Sequence, residues 1–130
     1  MIYIRIGIVF AATAVILGAL GAHALEPILS QDKMNSFLTG VRYQMYHAFA
    51  LLALGVYHLL IKQNITLPGT LFTVGVLMFS LSIYGLTFLP LINVPHRWLG
   101  PITPIGGLLL ISGWLSWLWI TFKKNGTTVR

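Results

Sequence analysis

The sequence predicts an all-α, polytopic membrane protein with four transmembrane helices packed as a bundle. Of its 130 residues, 57% are hydrophobic and only 8% are charged, whereas an ordinary soluble domain carries roughly 25% charged residues. A helix needs about 20 mostly apolar residues to cross about 30 Å of hydrocarbon. Four runs of about that length contain no Asp, Glu, Lys or Arg, and they span residues 6–25, 43–61, 69–89 and 102–122. We therefore treat residues 1–130 as a single transmembrane domain.

The first apolar run also has some features of a secretory signal peptide. Arg5 precedes the apolar segment, and Ala22-His23-Ala24 resembles an A-x-A cleavage site. The segment is longer than the roughly 7–15 apolar residues of a signal peptide. We therefore interpret it as the first membrane span.

A short helix lying in the membrane interface is predicted over residues 31–40, between the first and second spans. Ser30 is a suitable N-cap for it, because its hydroxyl can accept a hydrogen bond from a free backbone N–H. Apolar residues recur at i, i+3, i+4 and i+7, and they are Met34, Phe37, Leu38 and Val41. This spacing forms one apolar face on a helix, as an interfacial helix requires. Gly40 is expected to let the chain bend into the second span.

The distribution of basic residues predicts the orientation of the spans. An even number of spans places both termini on one side, and cytoplasmic segments are enriched in Lys and Arg. The terminal side carries five basic residues, which are Arg5, Lys62, Lys123, Lys124 and Arg130. The other side, which we predict to be the outer side, carries three, which are Lys33, Arg42 and Arg97. Both termini are therefore expected in the cytoplasm.

The composition argues against several function classes. The chain has no cysteine, so disulfide frameworks and thiolate metal sites are excluded. The net charge of +6 comes from scattered residues, whereas a nucleic-acid partner requires a clustered basic face. The two acids, Glu26 and Asp32, both lie between the first two runs, so no mid-membrane carboxylate and no Ser-His-Asp triad can be argued. We expect a protein that is not an enzyme.

Small residues in the first and fourth spans predict close helix contacts. Ala14, Gly18 and Ala22 recur every four residues, and the fourth span contains Gly106, Gly107 and Gly113. Small residues at this spacing let two helix backbones approach in lipid. They pack either within one bundle or against a second copy, and we expect a homo-oligomer.

Polar residues near the outer interface form the candidate binding site for a lipid or a small polar ligand. The residues are His23, Glu26, Arg42, Tyr43, Gln44, His47 and Thr103. Arg42 could pair with Glu26 or with a lipid phosphate. The cluster either braces the bundle or receives the ligand, and this interpretation requires no cofactor.

Two alternatives use different chemistry. Histidine can ligate haem or a divalent metal and can carry protons near neutral pH, so His23 and His47 could instead serve an electron or proton carrier. In a channel or transporter component, the hydroxyl-bearing face of the third span would line a path. That face contains Thr73, Ser80, Ser82, Tyr84 and Thr87.

Three ordered motifs resemble domain-of-unknown-function family 423. They are GALGAHAL at 18–25, TGVRYQMYHA at 39–48 and ITPIGG at 102–107. The resemblance covers nearly the whole chain and implies a bacterial inner-membrane protein with four spans, surrounded by lipid and with no assigned activity. One position departs from the family pattern, because Leu81 stands where that family tends to have glycine in its third span.

Overall fold

The computed structural model describes residues 1–123, which form four long helices joined by short connections. The elements are α1 (Ile2–Leu20), a π-helical turn (Gly21–Leu25), α2 (Gln31–Ile61), α3 (Thr66–Phe88), two 3₁₀ turns (Leu89–Ile92 and Arg97–Leu99) and α4 (Ile102–Phe122). Lys124 and Arg130, which contribute to the orientation prediction, lie outside the described residues. All four helices are long and apolar enough to cross a membrane, which confirms the predicted all-α, four-span class.

Consecutive helices pack against each other in antiparallel pairs. Along the α1–α2 pair, Gly21 faces Phe37 at one end, and Gly7 faces Ala48 nearer the other end. The same antiparallel arrangement holds for α2 with α3 and for α3 with α4. Both described ends of the chain therefore lie at one end of the bundle. We call the opposite end, which carries residues 26–30 and 93–101, the distal end.

The prediction of a separate interfacial helix over residues 31–40 is wrong. These residues are the first part of α2, one continuous helix of 31 residues from Gln31 to Ile61. Ser30 caps this helix as expected, and its hydroxyl accepts a hydrogen bond from the Lys33 backbone N–H at 3.4 Å. The apolar residues before the second span do not lie on a membrane surface. Phe37 is fully buried in a cluster with Leu25 and Tyr84, so this segment is held upright by packing.

Gly40 permits a close helix contact instead of a bend. A Cβ at this position would lie 2.9 Å from Cε1 of Tyr84, which is closer than carbon atoms normally approach. The Ser80 hydroxyl also donates to the Gly40 carbonyl oxygen at 2.8 Å. The sequence signal for a hinge was therefore a signal for helix packing.

The four helices do not end at the same level at the distal end. Thr103, in the first turn of α4, is hydrogen-bonded to Ser82 at 2.7 Å, and Ser80, half a turn earlier in α3, contacts Gly40. The first turn of α4 is thus level with about Gly40 of α2. At 1.5 Å per residue, about nine residues of α2 extend roughly 13 Å beyond that level.

The larger core cluster lies between α2, α3 and α4 in the half of the bundle near the termini. Its buried members are Ala50, Leu51, Leu54, Ile65, Phe72, Val76 and Leu110. The Phe72 ring packs edge-on against Trp114, with 5.0 Å between ring centroids. This cluster holds the helices together near the termini. It also fixes the position of His47, whose ring centroid lies 5.6 Å from that of Phe72.

Candidate functional site

Gln44 is the centre of a hydrogen-bond network that joins three helices. Its side chain is only 5% exposed, and its amide nitrogen donates to the Phe10 carbonyl oxygen at 2.9 Å and to the Thr13 hydroxyl at 2.7 Å. Its amide oxygen accepts from the Tyr84 hydroxyl at 2.8 Å. Since both amide hydrogens are used, Gln44 fixes α2 against α1 and α3.

His47 connects α2 to α4 through both of its ring nitrogens. Nε2 accepts a hydrogen bond from the Trp114 indole N–H at 3.1 Å, and an indole nitrogen can only donate. Nε2 is therefore unprotonated in this contact, and Nδ1–H donates to the Tyr43 carbonyl oxygen at 2.7 Å. The geometry fits a neutral imidazole with no ring nitrogen left for another ligand.

The position of His47 differs from the expected one. The sequence predicts it at the start of the second span, at the outer interface. Because α2 begins at Gln31, His47 lies in the middle of the helix and is only 5% exposed. His23 and His96 do lie toward the distal end, in the turn after α1 and in the connection before α4.

Four hydroxyl groups of α3 are hydrogen-bonded within or between helices. Ser80 bonds to Gly40 of α2, Ser82 bonds to Thr103 of α4, and Thr73 and Thr87 donate to carbonyl oxygens one turn earlier in α3. Across residues 1–123, every buried side-chain nitrogen and oxygen atom has a hydrogen-bond partner. Polar groups in a membrane interior are stable when satisfied in this way.

The seven predicted site residues do not form one site. Gln44, His47 and Thr103 contribute to contacts between helices, as described above. His23, Glu26, Arg42 and Tyr43 are exposed, and Glu26 and Arg42 form no ion pair with each other. Tyr43 stacks on Phe79 of α3 at a centroid distance of 4.7 Å. The sequence placed these groups on one rim, whereas the structure divides them between interior and surface.

His23 and His47 are too far apart to share a metal or haem. Gly21, two residues before His23, packs against Phe37, and Phe37 is ten residues before His47 in the same helix. The two histidines are thus separated by at least about 15 Å along the bundle. Within residues 1–123, no group of three or more His, Cys, Asp or Glu side chains is arranged to hold a metal ion.

The small residues singled out by the sequence have three different environments. Ala14, Gly106 and Gly113 are buried, and a Cβ on Gly113 would lie 2.7 Å from the Phe72 ring. Gly18 and Gly107 have room for a Cβ at ordinary contact distance. Ala22 is exposed, since the π-helical turn that begins at Gly21 breaks the four-residue repeat.

Sequence reasoning missed several groups that complete the network or lie beside it. Thr13 and Trp114 supply partners to Gln44 and His47, and Tyr84, predicted only as part of a possible path along the third span, is also a partner of Gln44. Nothing in their local sequence identifies these contacts. Lys33 and Ser36 line a groove at the distal end. The groove arises from the unequal lengths of α2 and α4, which only the structure shows.

These features define a small polytopic α-helical membrane protein whose interior polar groups join the four helices. The chain belongs to the family described as "Protein of unknown function (DUF423)", whose model matches residues 17–107. It is 41% identical over 125 residues to the UPF0382 membrane protein SH2409 of Staphylococcus haemolyticus, covering 96% of this chain and 98% of that protein. A Staphylococcus epidermidis UPF0382 membrane protein is 42% identical with the same coverage.

The family also has a fungal member. The UPF0382 membrane protein C1782.12c of Schizosaccharomyces pombe is 38% identical over 103 residues, which cover 78% of this chain and 86% of that protein. No solved structure matches the chain. The names of these relatives agree with the membrane class that the helices define.

Proposed function

We propose that this protein is a non-enzymatic, homo-oligomeric bundle of the bacterial inner membrane that binds a lipid at its outer side. On this proposal the distal end faces outward and both termini lie in the cytoplasm. One observation carries the proposal. The polar groups inside the bundle are satisfied within the protein, whereas charged side chains without an ion pair lie toward its two ends, and those toward the distal end include Glu26, Lys33 and Arg42.

The interior network serves as a brace. Hydrogen bonds between helices add stability where water does not compete, at about 0.6 kcal/mol each on average. Gln44, His47, Ser80 and Ser82 each join two or more helices. These groups supply no free nucleophile or base, which supports a structural role.

The homo-oligomer is supported by the exposure of the first and last helices, α1 and α4. In the spans that contain α1 and α4, only 17% of the residues in an apolar stretch of 18 are buried, whereas the value for the spans of α2 and α3 is 39%. Both α1 and α4 therefore present broad apolar faces, and Ala22 is exposed in the turn that follows α1. Such faces can contact lipid or a second copy, and native mass spectrometry of gently extracted protein distinguishes the two.

The alternative functions receive less support from the geometry. A carrier using His23 and His47 would need the two rings near one ligand, and they are separated along the bundle. A path along α3 would need free hydroxyl groups. The hydroxyls of Ser80 and Tyr84 are bonded to α2, and the hydroxyl of Ser82 is bonded to α3 itself and to α4.

The lipid-binding proposal is tested by delipidation. The protein is purified in mild detergent, its bound phospholipid is removed, and its Tm is measured before and after phospholipid is added back. We expect the lipid to raise Tm, and we expect native mass spectra to show more than one protomer. His47→Ala should lower Tm by breaking the contact with Trp114, yet keep the increase caused by lipid. A wild-type Tm that is insensitive to phospholipid would contradict the proposal.

A further inference from the structure

A groove with a volume of about 500 Å³ opens at the distal end between α2, α3 and the start of α4. It exists because α4 begins level with about Gly40, while α2 continues to Gln31. No turn of α4 lies beside this distal part of α2, and the groove is open there. Lys33, Ser36 and Thr39 line this part of the groove.

The side chains in the groove with free hydrogen-bonding capacity can both donate hydrogen bonds. Lys33 forms no ion pair or side-chain hydrogen bond with residues 1–123, and neither does the Ser36 hydroxyl. The hydroxyls of Thr39 and Thr87 already donate to backbone carbonyl oxygens, both at 2.9 Å. The groove therefore presents one unpaired cation and one free hydroxyl, and its charge complements an anion with acceptor oxygens.

Lys33 also occupies a position that is unfavourable for a cation. It lies in the first turn of α2, where the helix dipole is positive and favours acidic residues such as Asp32. Helix stability does not explain a lysine there, whereas a bound anion would. Removing the charge should accordingly leave the stability of the unliganded helix unchanged or slightly higher.

The wall of the groove becomes apolar toward the membrane interior. Leu86, Ile83 and Phe79 line it in that order along α3, and Phe79 packs beside Gly106 and Gly107 of α4. A cationic rim above an apolar wall matches a phosphate headgroup followed by an acyl chain. A free phosphate ion would leave the apolar wall unused.

We propose that this groove binds one anionic phospholipid, with the phosphate at Lys33 and Ser36 and an acyl chain along Ile83 and Phe79. This inference rests on the proposed lipid-binding function and names its site and ligand class. The recognising residues differ from those predicted by the sequence, because Arg42 does not line the groove.

The test compares phosphatidylglycerol, which has a net negative charge, with phosphatidylcholine, whose phosphate is neutralised by its own cation. Delipidated protein is titrated with each lipid, and binding is followed by native mass spectrometry and Tm. We expect wild type to prefer phosphatidylglycerol. Lys33→Gln should weaken that binding about tenfold, the loss of one charge-assisted contact, while Lys33→Arg retains it. Arg42→Gln and Lys62→Gln are matched controls that remove one positive charge elsewhere and should change binding less than about twofold.

Three results would overturn the inference. Lys33→Gln could bind phosphatidylglycerol as wild type does, Arg42→Gln could show the loss instead, or glycerol phosphate could stabilise the protein as well as the lipid does. The first two outcomes would leave lipid binding intact and refute only this site. Failure of both lipids to stabilise wild type would refute the proposed function itself. Ser36→Phe fills the groove without changing charge and should also weaken binding.

Discussion

Two adjacent glycines in α4 should respond in opposite ways to the same substitution. A Cβ on Gly106 would overlap the Phe79 backbone and lie 2.8 Å from its Cα, whereas a Cβ on Gly107 would lie 3.7 Å from the Phe79 ring. Carbon atoms pack best at about 3.5–4.0 Å. Gly106→Ala therefore requires α3 and α4 to separate by at least about 0.7 Å, while Gly107→Ala requires no movement.

The expected difference in stability follows from two opposing effects. Alanine is better than glycine in a helix interior by about 1 kcal/mol, so Gly107→Ala should stabilise by up to that amount. Gly106→Ala gains the same propensity, but overpacking against rigid backbone costs about 1–3 kcal/mol, and the separation also weakens the Ser82–Thr103 hydrogen bond. We expect the two variants to differ by about 2–3 kcal/mol.

The assay is unfolding in mild detergent by increasing mole fractions of sodium dodecyl sulfate, followed by circular dichroism and tryptophan fluorescence. Trp114 and Trp117 both contact Phe72 of α3, so their emission reports separation of α3 from α4. Gly18→Ala is a third variant, since its nearest neighbour, Val41, leaves 3.7 Å for the new Cβ. Equal stability of the Gly106 and Gly107 variants would refute the close α3–α4 approach.

Two further predictions concern the interior network and the orientation of the chain. Gln44→Leu removes three hydrogen bonds and should lower the free energy of unfolding by about 2 kcal/mol, at about 0.6 kcal/mol each. Tyr84→Phe removes one of these three bonds and should cost about 0.6 kcal/mol. The double variant should cost less than the sum, and strict additivity in the same assay would argue against a direct contact. Both termini are expected in the cytoplasm. A fluorescent protein fused to either end should therefore fluoresce, and alkaline phosphatase fused to either end should be inactive. Opposite results at the two ends would contradict four crossings.

The sequence was sufficient for the class of fold because membrane crossing depends on local composition. A run of about 20 apolar residues signals a span without reference to its neighbours, and the run at 102–122 coincides with α4 (Ile102–Phe122). The segment at 31–40 does not look like part of a span because charged residues interrupt its hydrophobicity. Its apolar spacing, however, continues past Val41 to Ala48 and Leu51, which lie buried farther along the same helix.

The site could not be predicted to the same extent, since its contacts join residues far apart in the chain. Tyr84 is 40 residues from Gln44, and Trp114 is 67 residues from His47. The motif at 39–48 identified Gln44 and His47 as unusual polar residues, but their partners depend on helix neighbours and register. Lys33 was counted only as a basic residue for orientation, because the groove around it depends on where α4 begins.

The separation of bracing groups from the proposed binding group makes their effects experimentally distinguishable. A buried polar group in lipid must be satisfied within the protein, so the interior polar groups of residues 1–123 have few hydrogen bonds left for a polar ligand. Remaining donors are tolerated at a rim, where headgroups and water can meet them. Substitution of Gln44 should therefore change stability with lipid affinity retained, whereas substitution of Lys33 should change lipid affinity with basal stability retained. A lipid site inside the bundle would reverse this pattern.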